Sequence, residues 1–99
     1  MIFCKEEIAL KLDKEKLIIN MTNNLVMLRT GLGFTQEELA SKIGLSRSTI
    51  MAIENKKSKM TWTVFLALML VFSKHEETDR LLNILEIYTD EFNDFIKDK

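Results

Sequence analysis

Between Ser46 and Lys59 the chain carries side chains suited to recognising a polyanion. Ser46-Arg47-Ser48-Thr49 is wholly polar, and Lys56, Lys57 and Lys59 follow closely. An arginine fork can bind guanine through two parallel hydrogen bonds, hydroxyls serve bases or phosphates, and lysines meet phosphates as point charges. Met51 and Ala52 cannot donate side-chain hydrogen bonds and offer the apolar contact that a thymine methyl accepts.

Catalytic chemistry finds less support. His75 and Cys4 are single and far apart in sequence, too sparse for a metal site or a nucleophile with its base. No glycine-rich phosphate loop occurs, and no carboxylate pair has an accompanying pocket signature. No catalytic residue, metal or cofactor is expected, and Trp62 reads as a core or interface aromatic.

The formal charge of −1 hides a gradient along the chain. Residues 29–59 hold six basic side chains against three acidic ones, a balance of +3. Residues 75–99 hold three basic against eight acidic, a balance of −5. A local positive face is what phosphate binding needs, and an acidic remainder weakens indiscriminate association.

These side chains must be positioned by helices, because 3.6-residue periodicity dominates and nothing reads as a sustained sheet. The 99 residues, 46% of them hydrophobic, suit one domain with one modest core. Met21, Leu25 and Leu28 share one face of a helix that starts near Asn20 and is stopped by Gly31 and Gly33. Thr35 and Glu38 have the capping-box spacing for a second helix ending at Gly44. Ser46 caps a third, which runs to about Asn55, a residue tolerant of left-handed backbone at a helix end. A nearly continuous apolar helix starts at Thr61, and two more with acidic outer faces run from about Glu76 to Tyr88 and from Asp90. Residues 1–19 fit a helix through Ile8, Leu12 and Ile19, but Ile8, Leu10 and Leu12 before Asp13-Lys14 also fit the start of a hairpin; helix is the preferred reading. A lone Cys4 forms no internal disulfide, and the longest apolar run, Val64 to Phe72, is far short of the roughly 18 residues that span a bilayer. No signal-peptide pattern opens the chain. A soluble, cytoplasmic protein is expected.

Two short helices joined by a turn with a single glycine form a helix-turn-helix arrangement. Ala40 lies where the helices cross, Gly44 can take positive φ, and Leu39, Ile43, Leu45, Ile50 and Ile53 close the space between them. Arg47, Ser48, Met51 and Ala52 then form an outward stripe on the second helix.

LVMLRTGLGFTQEELASKIGLSRSTIMAIEN, read without a gap, resembles the Cro/phage-repressor (Xre) family of helix-turn-helix DNA-binding proteins, and the resemblance runs from Leu25 through Phe72. It implies a lambda-repressor-like, five-helix all-α DNA-binding domain over residues 20–73, flanked by an N-terminal extension, 1–19, and an acidic C-terminal helical extension, 74–99. It further implies that Arg47 and Ser48 reach base edges, with Met51 and Ala52 along the same stripe. Thr35, Gln36, Thr49, Asn55, Lys57 and Lys59 would meet phosphates, and Gln36 would also buttress the recognition helix. Arg29 and Glu54 occupy the positions of a structural ion pair between the first and third helices. Ser48 keeps a second use, a local bond near the helix start, and the lysine cluster could be an ordinary charged loop. The usual glycine and proline after the recognition helix are replaced by Lys56-Lys57-Ser58-Lys59-Met60.

The function expected from the resemblance is a sequence-specific regulator of transcription bound to double-stranded DNA, a dimeric repressor. Leu81, Leu82, Leu85, Tyr88, Phe92 and Phe95 are expected at the dimer surface, because the tail has more apolar residues than two short helices need. The other reading packs them on their own domain. Two alternatives stand beside the repressor: an antitoxin whose acidic tail meets a protein partner, and an interaction module that kept the fold without DNA contact.

Overall fold

The computed structural model describes residues 12–99. Six α-helices follow one another: α1 Lys14–Gly31, α2 Gln36–Ile43, α3 Arg47–Glu54, α4 Trp62–Ser73, α5 Glu76–Ile84 and α6 Asp90–Lys97. Among the described residues there is no strand, and no helix is long and apolar enough to cross a membrane. Cys4 and the ambiguous segment around Ile8 and Leu10 lie outside the described residues.

Each helix except α5 opens on a side chain that accepts a free backbone N–H. Asp13 accepts from Lys16, Thr35 from Glu38, Ser46 from Thr49, Thr61 from Val64 and Thr89 from Phe92. The Thr35 cap is reciprocal, because the Thr35 N–H donates to Glu38 Oε1 at 2.8 Å. His75 supplies no such bond at α5, where Glu76, Glu77 and Asp79 in the first turn complement the helix dipole instead.

Four helices close the same way at their other ends. A left-handed residue follows the helix, and the next N–H reaches five residues back: Phe34 to the Arg29 carbonyl, Leu45 to Ala40, Lys57 to Ala52 and Ile87 to Leu82. The left-handed residues are Gly33, Gly44, Lys56 and Glu86. One boundary expected from sequence moves as a result, whereas α3 ends at Glu54 with Asn55 as its cap, as expected. Asn55 is not left-handed (φ −85°), that conformation falling to Lys56, and the fifth helix stops at Ile84 because Glu86 turns the chain before Tyr88.

The first helix also begins six residues earlier than the expected Asn20, at the Asp13 cap. Its added turns bury Leu17 and Ile18 beside Met21, Leu25 and Leu28. One core joins these residues to Leu39 and Ala40 of α2, Ile50 and Ile53 of α3, and Phe65, Leu68 and Phe72 of α4. Leu82, Ile87 and Phe92 belong to the same cluster, so α5 and α6 complete the domain. Four helices, not five, fall within residues 12–73.

Trp62 stacks on Phe65 with ring centroids 4.9 Å apart, and Phe92 meets both rings edge-on. Lys14 lies over the Trp62 and Phe95 rings at 5.1 and 4.9 Å, linking the start of α1 to α6. The Asn20 amide donates to the Glu86 carbonyl at 3.0 Å, a second link between α1 and the C-terminal part. Thr78, the one buried polar residue of the described core, donates to the Phe72 carbonyl at 2.6 Å and so satisfies the end of α4.

Candidate nucleic-acid interface

The site is built on the angle between α2 and α3. Ala40 is 1% exposed where the two helices meet. Gly44 takes φ +77° between them, and a Cβ added there would meet nothing within 4 Å, so backbone conformation alone selects glycine. Leu39, Ile50 and Ile53 are buried between the helices, with Ile43 and Leu45 packed half-buried at the edge.

Burial of Ile50 and Ile53 turns the opposite face of α3 outward. Arg47 and Ser48 are exposed on its first turn, while Thr49, Met51 and Ala52 are half-buried. The outward stripe is therefore narrower than expected, open at Arg47 and Ser48 and partly screened further on. The Ser46 hydroxyl lies 3.0 Å from the Ser48 hydroxyl and 2.9 Å from that of Thr49, so both hydroxyls are held in place at the helix start. Ser48 thus makes a local bond, with a hydroxyl rather than with backbone.

A charged network fixes the far end of α3. Arg29 donates from Nε to Glu54 Oε2 at 2.7 Å and from Nη2 to Glu54 Oε1 at 3.1 Å, while its Nη1 donates to the Phe34 carbonyl at 2.8 Å. Gln36 Nε2 donates to the same Glu54 Oε1 at 2.8 Å. Glu54 thereby ties α1, the first residue of α2 and the last of α3 into one unit. The Gln36 side chain buttresses α3, and the second hydrogen of its amide stays available for an outside acceptor. Thr35 stands exposed beside it.

Beyond α3 the chain presents Asn55, Lys56, Lys57, Ser58 and Lys59, all exposed. Lys59 is engaged by Glu15 of α1, Nζ to Oε2 at 2.8 Å. Between this loop and α1 lies an open groove of about 300 Å³, lined on the helix side by Glu15, Ile18, Ile19, Thr22 and Asn23. Sequence reasoning misses this groove, because the helical turns from Lys14 that supply its wall lie in the segment where a hairpin also fits and helix is only the preferred reading.

The expected dimer surface needs correction. Leu82 and Phe92 are 1% and 4% exposed within the chain's own core and take no part in a surface. Leu81, Leu85, Tyr88 and Phe95 are half-buried; the Tyr88 hydroxyl bonds Asn93 at 2.7 Å, and the Phe95 ring meets Trp62. Ile84, 73% exposed on α5, and Leu70, 61% exposed on α4, are open apolar side chains absent from the expected surface. Leu70 belongs to a nearly continuous apolar helix, where periodicity alone does not resolve which residues face out, and Ile84 is the last residue of a mostly polar one.

Elsewhere, the His75 ring meets Phe34 edge-on at 5.7 Å, and among the described residues no three His, Cys, Asp or Glu side chains gather where a metal ion could bind.

A family model described as a helix-turn-helix domain matches residues 22–93, and the chain belongs to that family. The matched span includes α5 and part of α6 together with the α2–α3 pair. Membership suggests a DNA-binding regulator. No curated protein and no solved structure matches the chain.

Proposed function

We propose that this chain is a sequence-specific transcriptional regulator of the Cro/phage-repressor kind, a dimeric repressor that reads the major groove of double-stranded DNA with α3. The observation that carries the reading is the setting of Arg47. It stands exposed at the first position of a helix whose inner face is locked by Ile50 and Ile53 and whose far end is pinned by Glu54. A recognition helix needs this combination of a rigid mount and a free donor at its leading end.

In this reading Arg47 takes a guanine edge through two hydrogen bonds and Ser48 supplies a hydroxyl. Met51 and Ala52 give apolar contact to thymine methyls. Thr35, Gln36, Thr49, Asn55, Lys57 and Lys59 contact phosphates and fix the register on the duplex. The Lys59–Glu15 pair does not oppose this, because both side chains are more than half exposed, and such pairs contribute at most about 1 kcal/mol. A phosphate can replace the carboxylate.

One domain covers only a half-site, so two copies related by a two-fold axis are required to span half-sites about 34 Å apart. The dimer surface proposed is the outer side of α5 around Ile84, with Leu81 and Leu85 at its margin. Such a regulator works in the cytoplasm.

Selection of bound duplexes from a random pool tests the proposal. Recovery of a palindrome with half-sites one helical turn apart is the expected result. Failure to enrich any duplex sequence would contradict it.

A further inference from the structure

From Leu17 to Leu28 α1 carries no charged side chain, although Ile19, Val26 and Met27 are each nearly half exposed. A helix on a protein surface ordinarily turns charged residues outward, as α5 and α6 do with Glu76, Glu77, Asp90 and Asp94. The charges at the start of α1 are engaged elsewhere: Lys14 lies over the Trp62 and Phe95 rings, Glu15 holds Lys59, and Lys16 stands 3.8 Å from Glu86. Ile19 and Val26, seven residues apart, fall on one line along the helix, and the near end of that line is a wall of the groove between α1 and the 56–60 loop. Ile18 and Met60 also line the groove and are 7% and 1% exposed, so its base is apolar.

The backbone at the start of α1 bends toward an occupant. The Lys14 N–H donates to the Leu12 carbonyl at 3.1 Å, with Asp13 at φ −88° and ψ 86°, an inverse γ-turn that bends the chain sharply as it enters the helix. Leu12 packs half-buried against the core, so the preceding residues are delivered at the domain surface, beside the end of the groove where Glu15 lies. Those residues, 1–11, lie outside the described residues and outside the family match, which begins at residue 22, and they include Ile2, Phe3, Ile8 and Leu10.

We propose that residues 1–11 turn back along α1 and occupy this groove, with apolar side chains on Ile18, Ile19 and Met60 and with Glu6 and Glu7 against Lys56 and Lys57. The length suffices: eleven residues reach about 16 Å as a helix and about 36 Å extended, and α1 rises about 12 Å from Glu15 to Asn23. The order of charges fits as well. Running back from Asp13, the segment brings Lys11 first, to the end where Glu15 lies. Glu7 and Glu6 follow, toward Lys56 and Lys57, which make no ion pair among the described residues, Lys59 being taken by Glu15. This inference does not depend on the DNA-binding reading, and no DNA enters its test.

Cys4, the single cysteine, allows the segment to be tagged in the full chain without any substitution. A nitroxide attached there should broaden the amide NMR signals of Ile19, Thr22, Asn23, Lys57 and Ser58 and leave those of Ser48 and Ile84 sharp. Broadening spread evenly, or centred on another face, overturns the proposal. In a mixture of nitroxide-tagged chain with isotope-labelled Cys4→Ser chain, the groove signals should stay sharp. Broadening there means that a second copy supplies the occupant, and the proposal falls. Ile19→Asp, at an exposed site, should abolish the broadening in the tagged chain with the remaining amide signals in place, and broadening that survives it overturns the proposal. Ile8→Asp needs no tag: it should shift the groove signals and leave those of α3 where they were. Groove signals unmoved by Ile8→Asp overturn the proposal as well.

Discussion

Arg29 and Glu54 form a two-pronged ion pair, 2.7 and 3.1 Å, between side chains only 12% and 3% exposed. Twenty-five residues apart in sequence, they fix the end of α3 to α1, and the Gln36 amide joins α2 to the same carboxylate. A pair this buried need not stabilise the fold relative to apolar substitutes, because removing two charges from water offsets much of their attraction. Its value here is geometric, since the planar guanidinium accepts a carboxylate in one orientation only.

Removing one partner of that pair is therefore expected to be severe. Glu54→Ala leaves the Arg29 charge without its carboxylate and the Gln36 amide without its acceptor, at a cost of about 3 to 5 kcal/mol in urea unfolding. The double variant Arg29→Met with Glu54→Leu should recover much of the loss. A double variant as unstable as Glu54→Ala would show that lost packing, not an unpaired charge, was responsible.

Gly44 and Glu86 occupy the same left-handed conformation with opposite fitness for it. Gly44→Ala meets no steric obstacle, since nothing lies within 4 Å of the new carbon, so backbone strain of about 1 to 2 kcal/mol is the whole expected loss. Glu86→Gly should gain about 0.5 kcal/mol, the relief of strain exceeding the extra chain entropy of glycine. Thermal unfolding of both variants checks the pair of signs; a destabilised Glu86→Gly would mean that its contact with Lys16 outweighs the strain.

The C-terminal helices are expected to behave as part of one folding unit. Leu82→Ala, at a site 1% exposed, should cost about 2 to 5 kcal/mol. A chain ending at Ser73 lacks Leu82, Ile87 and Phe92 from the core and should give no cooperative unfolding transition. A cooperative transition in the shortened chain would show that α1 to α4 fold alone.

Ile84 offers a direct probe of self-association, being 73% exposed on α5. Ile84→Arg should leave the circular dichroism and Tm nearly unchanged, since surface substitutions usually stay within about 0.5 kcal/mol. Sedimentation should show a dimer for the unaltered chain and a monomer for the variant. A dimer that persists in Ile84→Arg would place the interface elsewhere.

The α2–α3 unit is legible in the sequence because each of its signals is local. Thr35 and Glu38 are three residues apart, Gly44 is a backbone requirement, and Ala40 is a small residue where the helices meet. The helix ends at Lys56 and Glu86 are not legible, since neither residue favours positive φ and both turns are imposed by tertiary packing around Ile53, Leu82 and Ile87. The start of α1 carries a readable cap in Asp13, but Asp13-Lys14 also serves as a turn until Leu17 and Ile18 are seen in the core. Apolar residues of the tail can be recognised as interface or core only together; which side each faces depends on Trp62 and Phe65, remote in sequence.

The most direct test concerns Arg47, exposed at the leading end of α3. Binding of the selected duplex, and of single-base variants of it, should be measured for the unaltered chain and for Arg47→Ala at equal salt. The account predicts a loss of about 1 to 3 kcal/mol with relaxed preference at one base position, and a Tm within the range of a neutral surface change. Arg47→Ala binding with unchanged affinity and unchanged base preference would contradict it.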